Sequence, residues 1–79
     1  TNVSMTGEVD LRGNIKAIGG LEAKLNGARK ANINIALIPK ENEEQLERIR
    51  KDKKVIEDDN FKVIMIEKIE DAIKYAIDN

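Results

Sequence analysis

The run FKVIMI at residues 61–66 constrains the fold most, because five of its six side chains are apolar and they alternate onto both faces of a strand. A strand with one face in water alternates apolar and polar residues, whereas one covered on both faces reads as a nearly continuous apolar run, as in parallel sheets flanked by helices. NIALI at residues 34–38 is a second such run, closed by Pro39, which favours extended backbone before it and removes a donor. Between the two runs, Asn42 with Gln45 three residues on resembles a capping pair that opens a helix. Leu46 and Ile49 face inward on that helix, and the i,i+4 pairs Glu44 with Arg48 and Glu47 with Lys51 give it a solvated outer face. Residues 51–60 are charged around Val55 and Ile56, a pattern compatible with either a longer helix or a loop. Ile69, Ala72, Ile73, Ala76 and Ile77 then follow the i, i+3, i+4, i+7, i+8 spacing of a packed amphipathic helix. This order predicts an α/β layer with strands 34–38 and 61–66 parallel and joined by a right-handed crossover.

The first eighteen residues hold short β-prone pieces at 3–5, 9–11 and 15–18, separated by Thr6-Gly7-Glu8 and Arg12-Gly13-Asn14. Such punctuation predicts a small antiparallel meander. Gly19-Gly20 breaks the pattern, after which Leu21, Leu25 and Ala28 recur at helical spacing as far as Asn32, a residue that tolerates the left-handed conformation ending many helices. The helix is expected over residues 21–31. With 79 residues, one Phe, one Tyr and no Trp, the chain holds at most one domain with an aliphatic core, and chains this short are marginally stable alone.

Several function classes are excluded early. There is no cysteine and no histidine, so disulfides, thiol chemistry, thiolate zinc sites and the commonest general base are all missing. A net charge of −1 creates no basic field for nucleic acid, and no apolar run approaches the roughly 18 residues needed to span a membrane. No secretory signal is visible, and the compartment stays open, since lack of cysteine is compatible with the cytosol without establishing it. Gly19-Gly20 is followed by Leu21 and Glu22, where a phosphate-binding loop needs Lys and then Ser or Thr.

Lys24 is the residue with chemical potential. On a wheel of about 100° per residue with Leu21 at zero, Leu25 falls near ~40°, Ala28 near ~−20°, Lys24 near ~−60° and Ala31 near ~−80°. Glu22, Asn26, Arg29 and Lys30 occupy the opposite side, from about 80° to about 180°. Two readings follow. Lys24 lies along the edge of the stripe with its head in solvent, or it is enclosed among small residues, so that desolvation lowers its pKa and frees an amine able to activate a Ser or Thr hydroxyl. Periodicity does not choose between them.

The stretch MTGEVDLRGNIKAIGGLEAKLNGARKANINIALIPKEN, residues 5–42, resembles the proteolytic domain of the Lon proteases. Its Met-Thr-Gly-Glu, Arg-Gly hairpin, Ile-Gly-Gly-Leu, lysine, helix and Ile-Pro-Lys-Glu-Asn stand in the family's order and spacing, and a charged helix, a strand and an amphipathic helix follow more weakly. The resemblance implies an α/β Lon proteolytic-domain-like fold, partial in extent, with a β meander followed by helix, strand, helix, strand and helix. It implies that Lys24 is the lysine of a Ser-Lys catalytic dyad and that the Thr6 hydroxyl helps hold its amine. Departures are Ala17 in place of a common Pro, Glu22-Ala23 in place of Lys-Glu, and Arg29-Lys30-Ala31-Asn32 in place of His-Arg-Ala-Gly; they touch subfamily and specificity, leaving the dyad lysine in place.

The family's nucleophilic serine lies in a Gly-Pro-Ser-Ala-Gly type motif ahead of Met-Thr-Gly-Glu, and the lone serine here, Ser4, has the context of an ordinary strand residue. Residues 1–79 are therefore expected to form the C-terminal portion of a proteolytic domain, inactive alone, within an ATP-dependent serine endopeptidase that degrades unfolded or regulatory proteins. The resemblance further implies ATP and magnesium in an ATPase module outside these residues, no cofactor within them, and a homo-oligomeric ring, commonly a hexamer. The expected partners are substrate polypeptides and the rest of the protease, with no membrane or nucleic acid, in an intracellular setting, the cytoplasm by preference. The rival expectation is a non-catalytic Lon-like module, as at the C-terminus of RadA-type DNA-repair ATPases; the acidic balance and the presence of both Thr6 and Lys24 weigh against it. A free-standing interaction domain is the third.

Overall fold

The computed structural model describes residues 2–55 and 57–78. In chain order the elements are β1 (Val3–Met5), β2 (Glu8–Val9), β3 (Ile15–Lys16), α1 (Leu21–Lys30), β4 (Ile35–Pro39), a 3-10 turn (Lys40–Asn42), α2 (Glu43–Lys51), β5 (Lys62–Ile66) and α3 (Ile69–Asp78). The fold is mixed α/β, as the sequence implies. Its main sheet has the order β1-β4-β5, with β4 parallel to β1 on one side and to β5 on the other. Residues 35–39 pair in register with residues 62–66, so the two apolar runs are neighbouring parallel strands.

Side-chain alternation along β4 and β5 divides the interior in two. On one face Ala36, Ile38 and Val63 meet Leu21 and Leu25 of α1, Leu46 and Ile49 of α2, and Val55 and Phe61. On the other, Leu37 and Ile66 join Ile15 of β3, with Ile69, Ala72 and Tyr75 of α3 packed against them. Ile73, expected on the packed stripe of α3, is 49% exposed. The side chains of Ala76 and Ile77, expected on that stripe too, lie outside what the structure describes, as does Ile56.

The N-terminal strands depart from the expected meander. Strand β1 does not pair with β2; it joins the main sheet beside β4, and the ladder continues one step further as the Thr6 N–H donates to the Leu37 carbonyl at 3.0 Å. Gly7, with φ of +139°, then turns the chain out of the sheet. Only β2 and β3 are antiparallel, pairing Glu8 with Lys16 and Val9 with Ile15. Asp10 closes their hairpin: its Oδ1 accepts from the Arg12 and Asn14 backbone amides at 2.8 and 3.0 Å, an Asx arrangement that stands in for backbone pairing. Leu11, expected in a strand, is at the tip and fully exposed. The hairpin docks on the start of α3, where the Ile15 N–H donates to Glu67 O and the Ile69 N–H to Gly13 O, both at 2.9 Å.

Helix α1 ends one residue earlier than the pattern predicts, and Asn32 takes the left-handed conformation expected of it, φ 62°. After α2, residues 52–55 form a turn with Lys53 at φ 53°. The Glu44–Arg48 pair forms, at 3.9 Å, between two largely solvated side chains and so contributes little.

Strand β5 lies at the sheet edge, and its outward backbone is occupied by side chains. Glu57 accepts from the Val63 N–H at 3.0 Å, Arg50 donates to the Val63 carbonyl at 3.2 Å, and the two side chains join at 2.6 and 2.9 Å. The edge is thereby closed to further pairing at Val63, a common way of blunting edge strands. Hydrogen bonding from Arg50 holds the Glu57 carboxyl below its ordinary range; partial burial opposes this, and the Val63 amide adds to it.

Two predictions follow from this packing. Phe61 is 2% exposed, so Phe61→Ala should destabilise the fold by about 3–5 kcal/mol, seen as a lower denaturant midpoint; an unchanged midpoint would contradict its enclosure. Because Glu57 has a depressed folded pKa, its contribution is present above the unfolded carboxylate value of about 4.3 and is lost as pH falls through the lower folded one. The stability difference between wild type and Glu57→Gln should therefore shrink from pH 6 towards pH 3, and a pH-independent difference would dismiss the charge on Glu57 as its source.

Candidate active site

The amide N–H and carbonyl of Ile18 are both held by the side chain of Asn42, at 3.1 Å to Oδ1 and 3.0 Å from Nδ2. Beyond Ile18 the chain passes Gly19 and enters α1 at Gly20, whose left-handed φ of 66° is one that glycine adopts without strain. No side chain caps this N-terminus. The Lys24 backbone N–H donates to Gly20 O at 3.1 Å, so Lys24 closes the first turn of the helix.

Lys24 is exposed in this structure. The buried arc of α1 is narrower than the wheel allows: Leu21 and Leu25 are 0% and 1% exposed and Ala28 is half-buried, whereas Ala31, on the same flank as Lys24, is exposed. Strand β4 and helix α2 cover the Leu21–Leu25 line. Among the described residues the Lys24 side chain has no hydrogen-bond or ion-pair partner.

Thr6 is half-buried at the end of β1, anchored through its backbone to Leu37. Its hydroxyl makes no hydrogen bond with Lys24 among the described residues. What the two share is a frame: Thr6 is tied to β4 at Leu37, and the entry to α1 is tied to the chain just after β4 at Asn42. Gly7 makes this frame tight, because a Cβ added there would lie 2.7 Å from Ile15 Cγ2 and 2.9 Å from Pro39 Cγ. Ser4 is opposite Ala36 in the β1–β4 ladder, a strand residue as its context implies.

Asn42 is the residue whose role the pattern misassigns. It does occupy the N-cap of α2, but its side chain makes no capping bond; apart from the Ile18 contacts it donates to Gln45 Oε1 at 2.9 Å. Asn-x-x-Gln before an apolar-periodic segment reads locally as a capping pair, and only the fold brings Ile18, distant in sequence, within reach.

A surface hollow of about 500 Å³ lies elsewhere, lined by Lys16, Lys40, Glu41, Glu43 and Glu67 among others. Its charges pair with one another, Lys16 with Glu41 at 3.8 Å and Lys40 with Glu67 at 3.5 Å, and neither Thr6 nor Lys24 lines it. Among the described residues no group of three or more Asp or Glu side chains is arranged to hold a metal ion, and no helix is long and apolar enough to cross a membrane.

Comparison with known proteins decides the family. The model of the Lon protease (S16) C-terminal proteolytic domain matches residues 1–79. The chain belongs to the Lon protease family. It is 42% identical over 76 residues to the Lon protease of Campylobacter jejuni, covering 96% of this chain and 9% of that protein. To the Lon protease of Haemophilus influenzae it is 40% identical over 78 residues, 99% of this chain and 9% of the relative. To that of Buchnera aphidicola subsp. Acyrthosiphon pisum it is 44% identical over 78 residues, 99% of this chain and 10% of the relative. This Lon-family chain thus spans about a tenth of the length of the curated relatives it matches.

Gly7 offers a direct test of the frame around Thr6. Gly7→Ala puts a side chain at a positive φ and against the rigid ring of Pro39, and should destabilise the fold by about 1–3 kcal/mol. Thermal unfolding reads this out; unaltered stability would mean that the Thr6-Gly7 turn is free to shift.

Proposed function

We propose that this chain supplies the catalytic lysine of an ATP-dependent serine endopeptidase that degrades unfolded or regulatory proteins. The observation that carries the reading is the family match over residues 1–79, together with Lys24 placed on the first turn of α1, three residues after the leucine of Ile-Gly-Gly-Leu. In this reading the nucleophilic serine belongs to a segment outside residues 1–79 that packs over the Lys24 flank of α1. The exposure of Lys24, Gly27 and Ala31 supports such an approach, since small residues let another backbone come close.

That segment encloses the Lys24 amine next to the serine hydroxyl, where it serves as the base. The amine takes the serine proton as the oxygen attacks the scissile carbonyl, and the protonated lysine then gives a proton to the departing amine, leaving an acyl-enzyme. Water, deprotonated in turn by Lys24, releases the acyl group and regenerates the serine. Thr6 is assigned to orienting the Lys24 amine through its hydroxyl, its backbone already fixed on β4. Residues 1–79 alone are inactive in this account. ATP and magnesium serve an ATPase module elsewhere in the protein, which unfolds and feeds substrate, and the assembled protein is a homo-oligomeric ring in the cytoplasm.

The test is made in the full-length protein. Lys24→Ala and Lys24→Arg should both reduce peptide-bond cleavage by at least about 10³-fold while ATP hydrolysis continues. The Arg variant is the sharper one, because a guanidinium keeps the charge and length but cannot act as a base near neutral pH. Cleavage retained by either variant would refute the assignment.

A further inference from the structure

We propose that Asn42 is a positioning residue for Lys24, setting the place of the first turn of α1 through its two-point hold on Ile18; this rests on the reading of Lys24 as the general base. Asn42 is 4% exposed and is the one fully buried polar side chain among the described residues. Its carboxamide engages Ile18 from both sides, Oδ1 accepting from the N–H and Nδ2 donating to the carbonyl. The second Nδ2 hydrogen goes to Gln45 Oε1, which fixes the orientation of the amide plane. It sits at the N-cap of α2 but leaves that cap unmade, so the carboxamide is committed to a segment 24 residues away.

The segment it holds is the one that needs holding. Between Ile18 and Leu21, which both pack on the core, come two glycines at which an added Cβ would meet nothing within 4 Å, so the glycines themselves bring no side-chain packing to the turn. Helix α1 has no side-chain cap of its own. Burial of Leu21 and Leu25 determines which face of α1 turns inward and places the helix against β4 and α2. The directional bonds to Ile18 add a fixed point where the chain enters the helix, and a displacement of about 1 Å at a reacting group can lower a rate by roughly 10²-fold. Charged side chains next to Asn42 in sequence, Lys40, Glu41 and Glu43, are exposed, and Lys16 approaches Glu41 rather than the amide. The hold on Ile18 is therefore a neutral, buried contact.

Two variants of the full-length protein test this, each assayed for peptide cleavage, ATP hydrolysis and thermal unfolding. Asn42→Ala should lower kcat for peptide cleavage by about 10–100-fold, with KM within twofold and ATP hydrolysis retained. Asn42→Asp keeps the shape but, when ionised, sets a carboxylate against the Ile18 carbonyl; protonated, it regains both a donor and an acceptor. The ratio of its kcat to that of wild type should therefore rise as pH is lowered from 8 to 6, since burial without a cation raises a carboxyl pKa. That ratio remains informative if the Ala variant does not fold. A kcat for Asn42→Ala within twofold of wild type, or a ratio for Asn42→Asp that is flat with pH, overturns the positioning role. Inactive Lys24→Ala beside fully active Asn42→Ala removes the positioning role alone, whereas active Lys24→Ala removes the base assignment on which it rests.

Discussion

Strand β4 bears the constraint on which the other elements depend: it is hydrogen-bonded to a parallel strand on each side and covered by side chains on each face. Once Ala36 and Ile38 must be buried towards α1 and α2, and Leu37 towards α3 and the β2–β3 hairpin, little freedom is left for where those elements lie. Parallel pairing requires each neighbouring strand to return by a crossover, and the sequence has one helix available for each, α1 before β4 and α2 after it. The chain is small, so this single strand organises nearly all of its buried apolar surface. Phe61, just ahead of β5, fills the α1–α2 side, where no other aromatic ring is available.

The same strand gathers the segments of the candidate site. Thr6 continues the β1 ladder against Leu37, and Asn42, three residues past Pro39, reaches Ile18 at the entry to α1. Two segments that carry family motifs, Met-Thr-Gly-Glu and Ile-Gly-Gly-Leu, are thus referenced to one end of one strand. The third, Ile-Pro-Lys-Glu-Asn, is that strand end itself. This gives a physical reason for the spacing of the three motifs along the chain: each is one leg of a frame around the C-terminal end of β4.

The elements with strong periodicity were legible in the sequence. FKVIMI and NIALI are parallel neighbours, α1 and α2 bury the leucines and isoleucine the spacing selects, and Asn32 ends α1 in the left-handed conformation. The short N-terminal pieces were not legible in their pairing. A three-residue strand looks the same whether its partner is the next strand or one thirty residues away, and the positive φ of Gly7, which sends the chain out of the sheet, is visible only in the backbone. For the candidate site, the motif singles out Lys24 but its exposure could not be read, because a wheel gives direction around α1 and not the width of what covers it. The Asn42 carboxamide was misread as a cap for a similar reason: local sequence describes the near partner and is silent about the far one.

By itself, then, the sequence determined the α/β class, the parallel pair and the family, since these depend on side-chain periodicity and on motif order. Tertiary structure decided that β1 belongs to the main sheet, that the Lys24 flank of α1 is open, and that Asn42 holds Ile18. Each of these turns on contact between segments remote in sequence, whose outcome is set by competition for the edges and faces of β4 rather than by the preference of any one segment.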